Sequence, residues 1–212
     1  SAGTYSISGT LNDGQILVDS GDSEKVTLIL NGIDIFCSSS APLYVINADK
    51  TVLELAEGTS NSISDGSTYV FSDAGSDEPN AAIFSCDDLS IKGDGSLSVF
   101  ANYNDGITSK DDLRISGGSI TVHAVHDGIR GRDSVEVKGG YTTVNAGDDG
   151  IVSNNDEDAE KGIVSIEDGT ISIVAGGDGV QAETTLSIRG GEISVTSGGG
   201  SSGTTYQDSR DN

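Results

Sequence analysis

Proline, tryptophan and methionine are scarce in this sequence or missing from it. There are two prolines and no tryptophan or methionine among 212 residues, against 30 glycines. Collagen needs glycine at every third position together with abundant proline, so this glycine content does not indicate a triple helix. No apolar run approaches the length that a membrane-spanning helix requires, which argues against membrane insertion by this segment. Because the sequence begins at Ser1, we expect any secretion signal or surface anchor to lie outside it.

Basic residues and cysteines are also few. The chain has 11 Lys and Arg against 34 Asp and Glu, which gives a formal net charge of −23. This charge repels nucleic acid and anionic membrane surfaces, so both are poor partners. Self-repulsion also destabilises a compact fold unless cations bind. Cys37 and Cys86 are too few for a disulfide scaffold, and either two free thiols or one disulfide is consistent with them.

A repeat organises the chain around Asp-Gly followed by Ile or Val. The step occurs at Asp105-Gly106-Ile107, Asp127-Gly128-Ile129, Asp149-Gly150-Ile151 and Asp178-Gly179-Val180. The first two intervals are 22 residues, and the third is 29 because the acidic stretch 154–162 is inserted. Ala81-Ala82-Ile83 and Ala41-Pro42-Leu43 occupy the same place in earlier units. This period indicates a solenoid and not a β-propeller, whose repeats need about 40 residues.

Three short strands fill each unit. After the Asp-Gly step come Leu113-Arg114-Ile115 and, beyond a Gly-Gly turn, Ile120-Thr121-Val122. Their alternation places Ile, Leu and Val inward and the polar side chains outward. The sequence therefore predicts an all-β fold, a right-handed parallel β-helix with three short strands per coil of about 22 residues. Stacking of the coils forms one interior ladder from Ile107, Ile129, Ile151 and Val180.

We predict a single, monomeric domain over residues 1–212. Residues 1–35 are assigned to an N-terminal cap and first coil, and residues 203–212 to a C-terminal tail. The stretches 57–80 and 154–162 are assigned to insertions, because they interrupt the period with Ser, Asp, Gly and other polar residues.

The Asp residues of successive steps are expected to form a column on the surface. Adjacent coils lie about 4.8 Å apart, and two carboxylates at that spacing repel by about 3.5 kcal/mol at an effective dielectric constant near 20. Calcium relieves such repulsion, because it takes several oxygen ligands in flexible arrangements. We expect the densest site around Asp127, Asp148, Asp149 and residues 154–158. The predicted calcium ligands are Asn104, Asp105, Asp111, Asp127, Asp133, Asp148, Asp149, Asn154, Asp156, Asp158, Asp178 and Glu183.

Simpler interpretations of this column stay open. Asp-Gly is a common turn in which Asp bonds local backbone and Gly takes positive φ, and turn bonds and water then satisfy the carboxylates. His126 precedes Asp127, where it is either a surface group or a neighbour of calcium. No Ser or Cys is placed as a nucleophile, so we assign no catalysis to His123 or His126.

A small group of basic residues follows the acidic column. Lys110, Arg130 and Arg132 fall in neighbouring coils and are candidates for holding an anionic ligand, with charge balance against the carboxylates as the alternative. Tyr103 and Tyr141 are candidates for stacking on a sugar ring, although tyrosines in a β-helix also serve packing. With 5% aromatic residues, a broad aromatic platform is not indicated.

Longer motifs carry a resemblance to a known family. They are Asn80-Ala81-Ala82-Ile83, Tyr103-Asn104-Asp105-Gly106-Ile107 with Ser109-Lys110-Asp111-Asp112-Leu113, Asp127-Gly128-Ile129-Arg130-Gly131, and Asn154-Asn155-Asp156-Glu157-Asp158-Ala159. They resemble the carbohydrate-binding β-helix family first described, in a cellulolytic clostridium, as a calcium-containing cell-surface protein. The resemblance covers residues 29–201 and implies secretion, calcium, and binding of cellulose-like polymers and pectic acid. It also implies a fold similar to that of family 9 polysaccharide lyases.

The similar lyases carry a calcium motif, Asp-Asp-Gly-x-Asp, with a further Asp one coil earlier and a lysine as base. Asp148-Asp149-Gly150-Ile151 matches the start of this motif and Asp127 fits the earlier Asp, but Val152 stands where the last Asp belongs. A lyase base must reach the C5 proton of a uronate. The nearest lysines, Lys110 and Lys138, lie in no recognisable base motif, so the resemblance favours binding without catalysis.

These features predict a non-catalytic, extracellular or cell-surface module for plant cell-wall polysaccharide. Its partner is an acidic or cellulose-like polymer, and its cofactor is Ca²⁺, with several ions bound. A calcium-dependent pectate-lyase-like enzyme and a structural surface adhesin are the alternatives.

Overall fold

The structure is a computed structural model that describes residues 1–21, 25–71, 73 and 75–198. Within these residues the secondary structure consists of strands, and no helix is long and apolar enough to cross a membrane. The strands are β1 (Gly3–Leu11), β2 (Ile16–Asp19), β3 (Val26–Cys37), β4 (Leu43–Asn47), β5 (Lys50–Leu55), β6 (Ser60–Asp65), β7 (Ala81–Ser85), β8 (Asp88–Gly93), β9 (Ser96–Ala101), β10 (Asp105–Ser109), β11 (Asp112–Ile115), β12 (Ser119–Ala124), β13 (Ile129–Gly131), β14 (Ser134–Val137), β15 (Tyr141–Ala146), β16 (Ile151–Ser153), β17 (Ile163–Ile166), β18 (Thr170–Ala175), β19 (Val180–Ala182), β20 (Thr185–Ile188) and β21 (Glu192–Ser197).

Successive strands wind into coils that stack in parallel. The first strands of the coils form a seven-stranded sheet, sheet one, in the order β2, β4, β7, β10, β13, β16 and β19. The second strands (β5, β8, β11, β14, β17, β20) and third strands (β6, β9, β12, β15, β18, β21) form sheet two and sheet three. These two sheets meet at the long strand β3, whose first half pairs with β5 and second half with β6. The fold is therefore the predicted parallel β-helix with three strands per coil.

The predicted interior ladder is confirmed by the strand register. Ile107 pairs with Ile129, which pairs with Ile151, which in turn pairs with Val180. The three isoleucines are fully buried. Burying one such side chain stabilises the fold by roughly 1.5–3 kcal/mol, so the ladders supply most of the driving force for stacking.

Among the described strands, two connections are longer than six residues. Residues 66–80 join β6 to β7, and residues 154–162 join β16 to β17. The first is shorter than the insertion predicted at 57–80, because Ser60–Asp65 is a regular strand that pairs with β3 and β9 and buries Ile63.

The N-terminal strand pairs with the first long strand, and the two cysteines are not joined to each other. In the N-terminal region β1 runs parallel to β3 along almost its whole length. The predicted tail, residues 203–212, lies outside the described residues. Cys37 and Cys86 are separate free thiols.

The glycine of the Asp-Gly step provides space for a close approach of coils. Gly128 has no positive φ, so the step is not the positive-φ turn considered above. A Cβ on Gly128 would lie 2.2 Å from Cγ1 of Val144 and 2.7 Å from the carbonyl oxygen of Gly150 in the next coil. Gly106, Gly150 and Gly179 are equally confined by an inward side chain.

Gly128→Ala is expected to lower the melting temperature, because its Cβ forces a buried valine or the next coil to move at a cost of about 1–3 kcal/mol. Thermal unfolding followed by circular dichroism measures the change. Gly75→Ala is the control, since a Cβ there meets no atom within 4 Å. A Gly128→Ala variant that melts with the wild type would contradict the close packing.

Candidate functional site

Each coil enters sheet one through a corner that carries the Asp of the Asp-Gly step. We call residues 104–105, 126–127, 148–149 and 177–178 the first acidic corner. Oδ1 of Asp105 accepts a hydrogen bond from the backbone N–H of Asp127 at 3.2 Å, and Asp127 accepts one from Asp149 at 3.1 Å. Asp149 likewise accepts from the N–H of Asp178 at 2.6 Å. The carboxylates form the expected column, but they bind the backbone of the next coil and not that of their own turn.

Asp105 is fully buried, and both of its oxygens are in use. Oδ1 also accepts from Asn104 Nδ2 at 3.1 Å and lies 2.9 Å from His126 Nδ1. Oδ2 accepts from the hydroxyl of Thr108 at 3.3 Å and from Arg130 Nη1 at 3.5 Å. A carboxylate has about four lone-pair sites, and five donors surround this one. Asp105 therefore does not fit a calcium ligand in this arrangement.

His126 lies inside the first acidic corner as its cation. Nδ1 is 3.3 Å from Asp127 Oδ1 in addition to its contact with Asp105, and Nε2 is 3.2 Å from Asp148 Oδ2. Because both ring nitrogens face carboxylates, only the doubly protonated ring donates to both sides. Burial lowers the pKa of His126, but the three surrounding carboxylates together outweigh it and raise the pKa.

Asp127 bears the largest electrostatic cost in the column. Burial, and then the charge of Asp105, raise the pKa of Asp127 to about 6. The hydrogen bond from Asp149 and the charge of His126 lower the pKa by less. At neutral pH the carboxylate is therefore ionised at a cost in stability, which a bound cation would remove.

Two carboxylate oxygens border an open space beside Gly177. A Cβ on Gly177 would lie 2.5 Å from Oδ1 of Asp148 and 2.5 Å from Oδ1 of Asp149, so both oxygens border a space that only glycine leaves open. One ligand atom each of Asp105, His126 and Asp127 also lie within 4.8 Å of one another. Calcium prefers carboxylate and carbonyl oxygens, so Asp127, Asp148 and Asp149 are the residues that would hold it.

A second acidic corner lies at the other end of the sheet-one strands, where they lead into sheet two. Asp133 is 8% exposed and accepts hydrogen bonds from Asn155 Nδ2 at 2.6 Å and from Lys161 Nζ at 2.7 Å. Burial, and then the carboxylate of Asp133, raise the pKa of Asp111. A cavity of about 520 Å³ is lined there by Asp88, Asp111, Asp112, Asp133, Ser134, Glu160, Lys161 and Ile163.

The structure separates residues that the sequence assigns to one dense calcium site. Asp127, Asp148 and Asp149 lie at the first corner, whereas residues 154–158 lie at the second, because β16 runs between them. Asn154 Oδ1 accepts from Arg130 Nε at 3.4 Å, and Asp158 Oδ1 accepts from the N–H of Glu160 at 2.9 Å. The exposed members of the predicted set are Asp148, Asp156, Asp158, Asp178 and Glu183.

A groove on the outer face of sheet one collects the predicted basic residues. Lys110, Arg130 and Arg132 line a cavity of about 460 Å³. The other lining residues are Asp77, Glu78, Asn80, Phe84, Thr108 and Ser109. The side chains of Lys110 and Arg132 are 41% and 42% exposed, so solvent reaches them although each is paired with a glutamate, Glu78 and Glu157 respectively.

Neither predicted tyrosine lines this groove. The ring of Tyr103 stacks on Tyr69 with centroids 4.1 Å apart and an interplanar angle of 14°, so one ring face is covered by packing. Tyr141 is 66% exposed at the beginning of β15 in sheet three.

Several residues of these sites were not predicted as functional from the sequence. Glu78, Asn80, Glu157 and Lys161 all lie in the two long connections. The repeat predicts where a residue lies within a coil, but it does not predict the path of a connection that is inserted between two coils. The only signal for these residues is that they occupy the two breaks in the period.

Asp127→Asn is expected to raise the melting temperature in EDTA near pH 8, because the amide oxygen can still accept from Asp149 while the buried charge is gone. The folded pKa of about 6 lies above the ordinary value, so the ionised carboxylate destabilises the fold above that pH and the cost disappears as the pH falls toward 4. We expect a gain of about 2–3 kcal/mol near pH 8 and little gain near pH 4.5. Exposed Asp178→Asn is the control, and a lower melting temperature for Asp127→Asn near pH 8 would contradict this account.

Comparison with known proteins gives consistent results. A family model described as carbohydrate-binding domain-containing protein matches residues 1–212. A relative with the same description from Acetivibrio thermocellus is 49% identical over 122 residues, which are 58% of this chain and 43% of that protein. The match thus spans less than half of the relative.

A solved structure of a polysaccharide lyase-like protein from C. thermocellum, a gadolinium derivative, resembles this chain with a TM-score of 0.86 at 41% identity. The alignment covers 91% of this chain and 88% of that one. The resemblance inferred from the sequence motifs is therefore confirmed. The chain belongs to the family of carbohydrate-binding domain-containing proteins.

Proposed function

We propose that this chain is a non-catalytic module that binds acidic plant cell-wall polysaccharide outside the cell or on its surface, with calcium at the acidic corners. The observation that carries the proposal is the gathering of Lys110, Arg130 and Arg132 in one groove of a protein whose net charge is −23. Arginine and lysine bind carboxylates by charge-assisted hydrogen bonds. A linear polyuronate presents one carboxylate per sugar, so it suits a groove whose cations lie on neighbouring coils.

Calcium is the cation that we propose for the first acidic corner. Its support is the raised pKa of Asp127 and the space between Asp148 and Asp149 that Gly177 leaves. The similar protein from C. thermocellum was solved as a gadolinium derivative, and gadolinium, like calcium, is a hard cation that favours oxygen ligands. A calcium ion held by Asp127, Asp148 and Asp149 would stabilise the column and would supply positive charge for a sugar carboxylate.

The environment of the lysines favours binding over lyase chemistry. Lys110 is paired with Glu78, and Lys138 lies between Glu136 at 2.8 Å and Glu167 at 3.1 Å. The hydrogen bonds that Lys138 donates to these glutamates raise its pKa, which disfavours the neutral form that a general base requires. Val152, at the position of the last Asp of the lyase motif, is buried. A lyase and a structural adhesin remain the competing functions.

The test is incubation with polygalacturonate in calcium and then in EDTA, following retention on the polymer and ultraviolet absorbance together. We expect calcium-dependent retention without a rise in absorbance. Rising absorbance from unsaturated product would establish a lyase, and no retention would favour the adhesin.

Arg130→Ala is expected to weaken retention about ten-fold, the effect of losing one charge-assisted hydrogen bond, and also to lower the melting temperature, because Arg130 Nη1 lies 3.5 Å from the buried carboxylate of Asp105. Arg189→Ala is the matched control, because Arg189 is exposed and follows β20, away from the groove. Equal affinity of Arg130→Ala and wild type would remove Arg130 from the binding site.

The outer face of sheet three favours a second, neutral ligand such as a cellulose-like polymer. Its outward positions from β6 to β21 carry one carboxylate, Glu192 at one end, in a chain that is otherwise strongly acidic. Most positions bear hydroxyls, and Tyr141 belongs to this face. Among the described residues, Ser98, Thr121 and Thr143 donate to no protein group, so their hydroxyls are free for a ligand or for water. An uncharged, periodic face suits an uncharged, periodic polymer.

Thr143→Glu is expected to reduce retention on crystalline cellulose several-fold and to leave retention on polygalacturonate unchanged. The physical reason is the cost of desolvating a new carboxylate against a neutral surface. Ser165→Glu, on the outer face of sheet two, is the control. Equal loss with both variants, or no loss with either, would reject sheet three as the neutral binding face.

A further inference from the structure

The cations of the groove are already bound to carboxylates of the same chain. Lys110 Nζ lies 2.8 Å from Glu78, and Arg132 Nη2 lies 2.6 Å from Glu157. Glu78 belongs to the connection 66–80, and Glu157 belongs to the connection 154–162. Each of the two long connections therefore contributes one glutamate that forms an ion pair with a cation of the same groove.

These two ion pairs are of the kind that a ligand can replace. Glu78 is 37% exposed and Glu157 is 75% exposed at the side chain, and exposed ion pairs contribute little to stability. Arg130 differs, because its carboxylate partner is the buried Asp105 at 3.5 Å, which is fixed in the column. Glu78 and Glu157 lie on connections and not on the strands that stack the coils.

Asn80 provides an independent observation in the same groove. Among the described residues its buried Oδ1 has no hydrogen-bond partner, which is unfavourable for an acceptor. The backbone of Asn80 is fixed, because its carbonyl oxygen accepts from the N–H of Asp105 at 3.1 Å. Asn80 lies two residues after Glu78 and lines the same groove.

We propose that Glu78 and Glu157 are built-in competitors that occupy the positions of ligand carboxylates, and that a polyuronate binds by displacing them. Once Glu78 has moved, Asn80 Oδ1 accepts a hydrogen bond from a sugar hydroxyl of the same ligand. This inference rests on the proposed function and explains why the groove would select acidic over neutral glycans. A neutral glycan has no carboxylate, so it cannot replace Glu78 and Glu157 on the cations.

The first experiment measures binding of a short galacturonate oligomer of uniform length by calorimetry, in calcium and at physiological ionic strength. The double variant Glu78→Gln/Glu157→Gln is expected to bind more tightly than wild type, by roughly two- to five-fold for each ion pair removed. The matched control is Glu57→Gln/Asp94→Asn, which removes the same net charge from two exposed side chains in turns between sheet two and sheet three. Charges more than about 8 Å from the ligand are screened at this ionic strength, so the control is expected to match wild type.

The outcomes separate the inference from the proposed function. Binding by wild type with equal or weaker binding by the glutamine double variant would overturn the inference and leave the function standing. An equal gain in the control variant would assign the effect to net charge and also overturn it. No binding by wild type and none by the double variant would reject both together.

Asn80→Ala tests the hydroxyl contact. It is expected to lower the affinity for the oligomer several-fold without lowering the melting temperature, because it deletes an acceptor that has no partner in the protein. A lower melting temperature with unchanged affinity would make Asn80 a structural residue and remove it from the ligand site.

Discussion

Backbone hydrogen bonds between adjacent coils hold equivalent positions of the repeat about 4.8 Å apart, and the rest of the molecule depends on that register. Inside, the register turns one isoleucine per coil into a continuous buried ladder. Outside, it turns one aspartate per coil into a column of like charges. The same geometry that stabilises the core therefore creates the electrostatic cost at the corners.

The chain offsets this cost with groups that differ from coil to coil. Backbone N–H groups of the next coil bind Asp105, Asp127 and Asp149. His126, when it is protonated, supplies a positive charge at the first acidic corner, and Lys161 supplies one at the second. These internal cations occupy only part of each corner, and Asp127 keeps a raised pKa despite them. The residual cost is the physical reason to expect calcium.

The sequence predicts the positions of residues that recur in every coil. It does not predict the structure of the segments that interrupt the repeat. The period locates Ile107, its ladder and the acidic column, because each coil reuses the same positions. It misassigns Ser60–Asp65 to an insertion, since only Ile63 marks that serine-rich strand as part of the core. It also merges two acidic corners into one site, because residues 148–158 are continuous in sequence while β16 holds them apart. Glu78, Asn80 and Glu157 could not be placed, because their connections have no counterpart in other coils.

The outer faces of the three sheets differ in charge, and each proposed ligand is assigned to the face whose charge suits it. Sheet one carries three cations between two acidic corners, which suits an anionic polymer together with calcium. Sheet three is nearly uncharged along its outer face. Sheet two carries alternating ion pairs such as Arg114 with Glu136 and Lys92 with Glu54, which satisfy one another on the surface.

The most direct test of this account is the melting temperature of the wild-type protein in EDTA and in millimolar calcium near pH 8, compared with that of Asp149→Ala. Because a cation that binds only the folded column stabilises the fold, the account predicts a higher melting temperature in calcium for wild type and a much smaller increase for the variant. Equal melting temperatures of the wild type in calcium and in EDTA would contradict the claim that the acidic column is a calcium site.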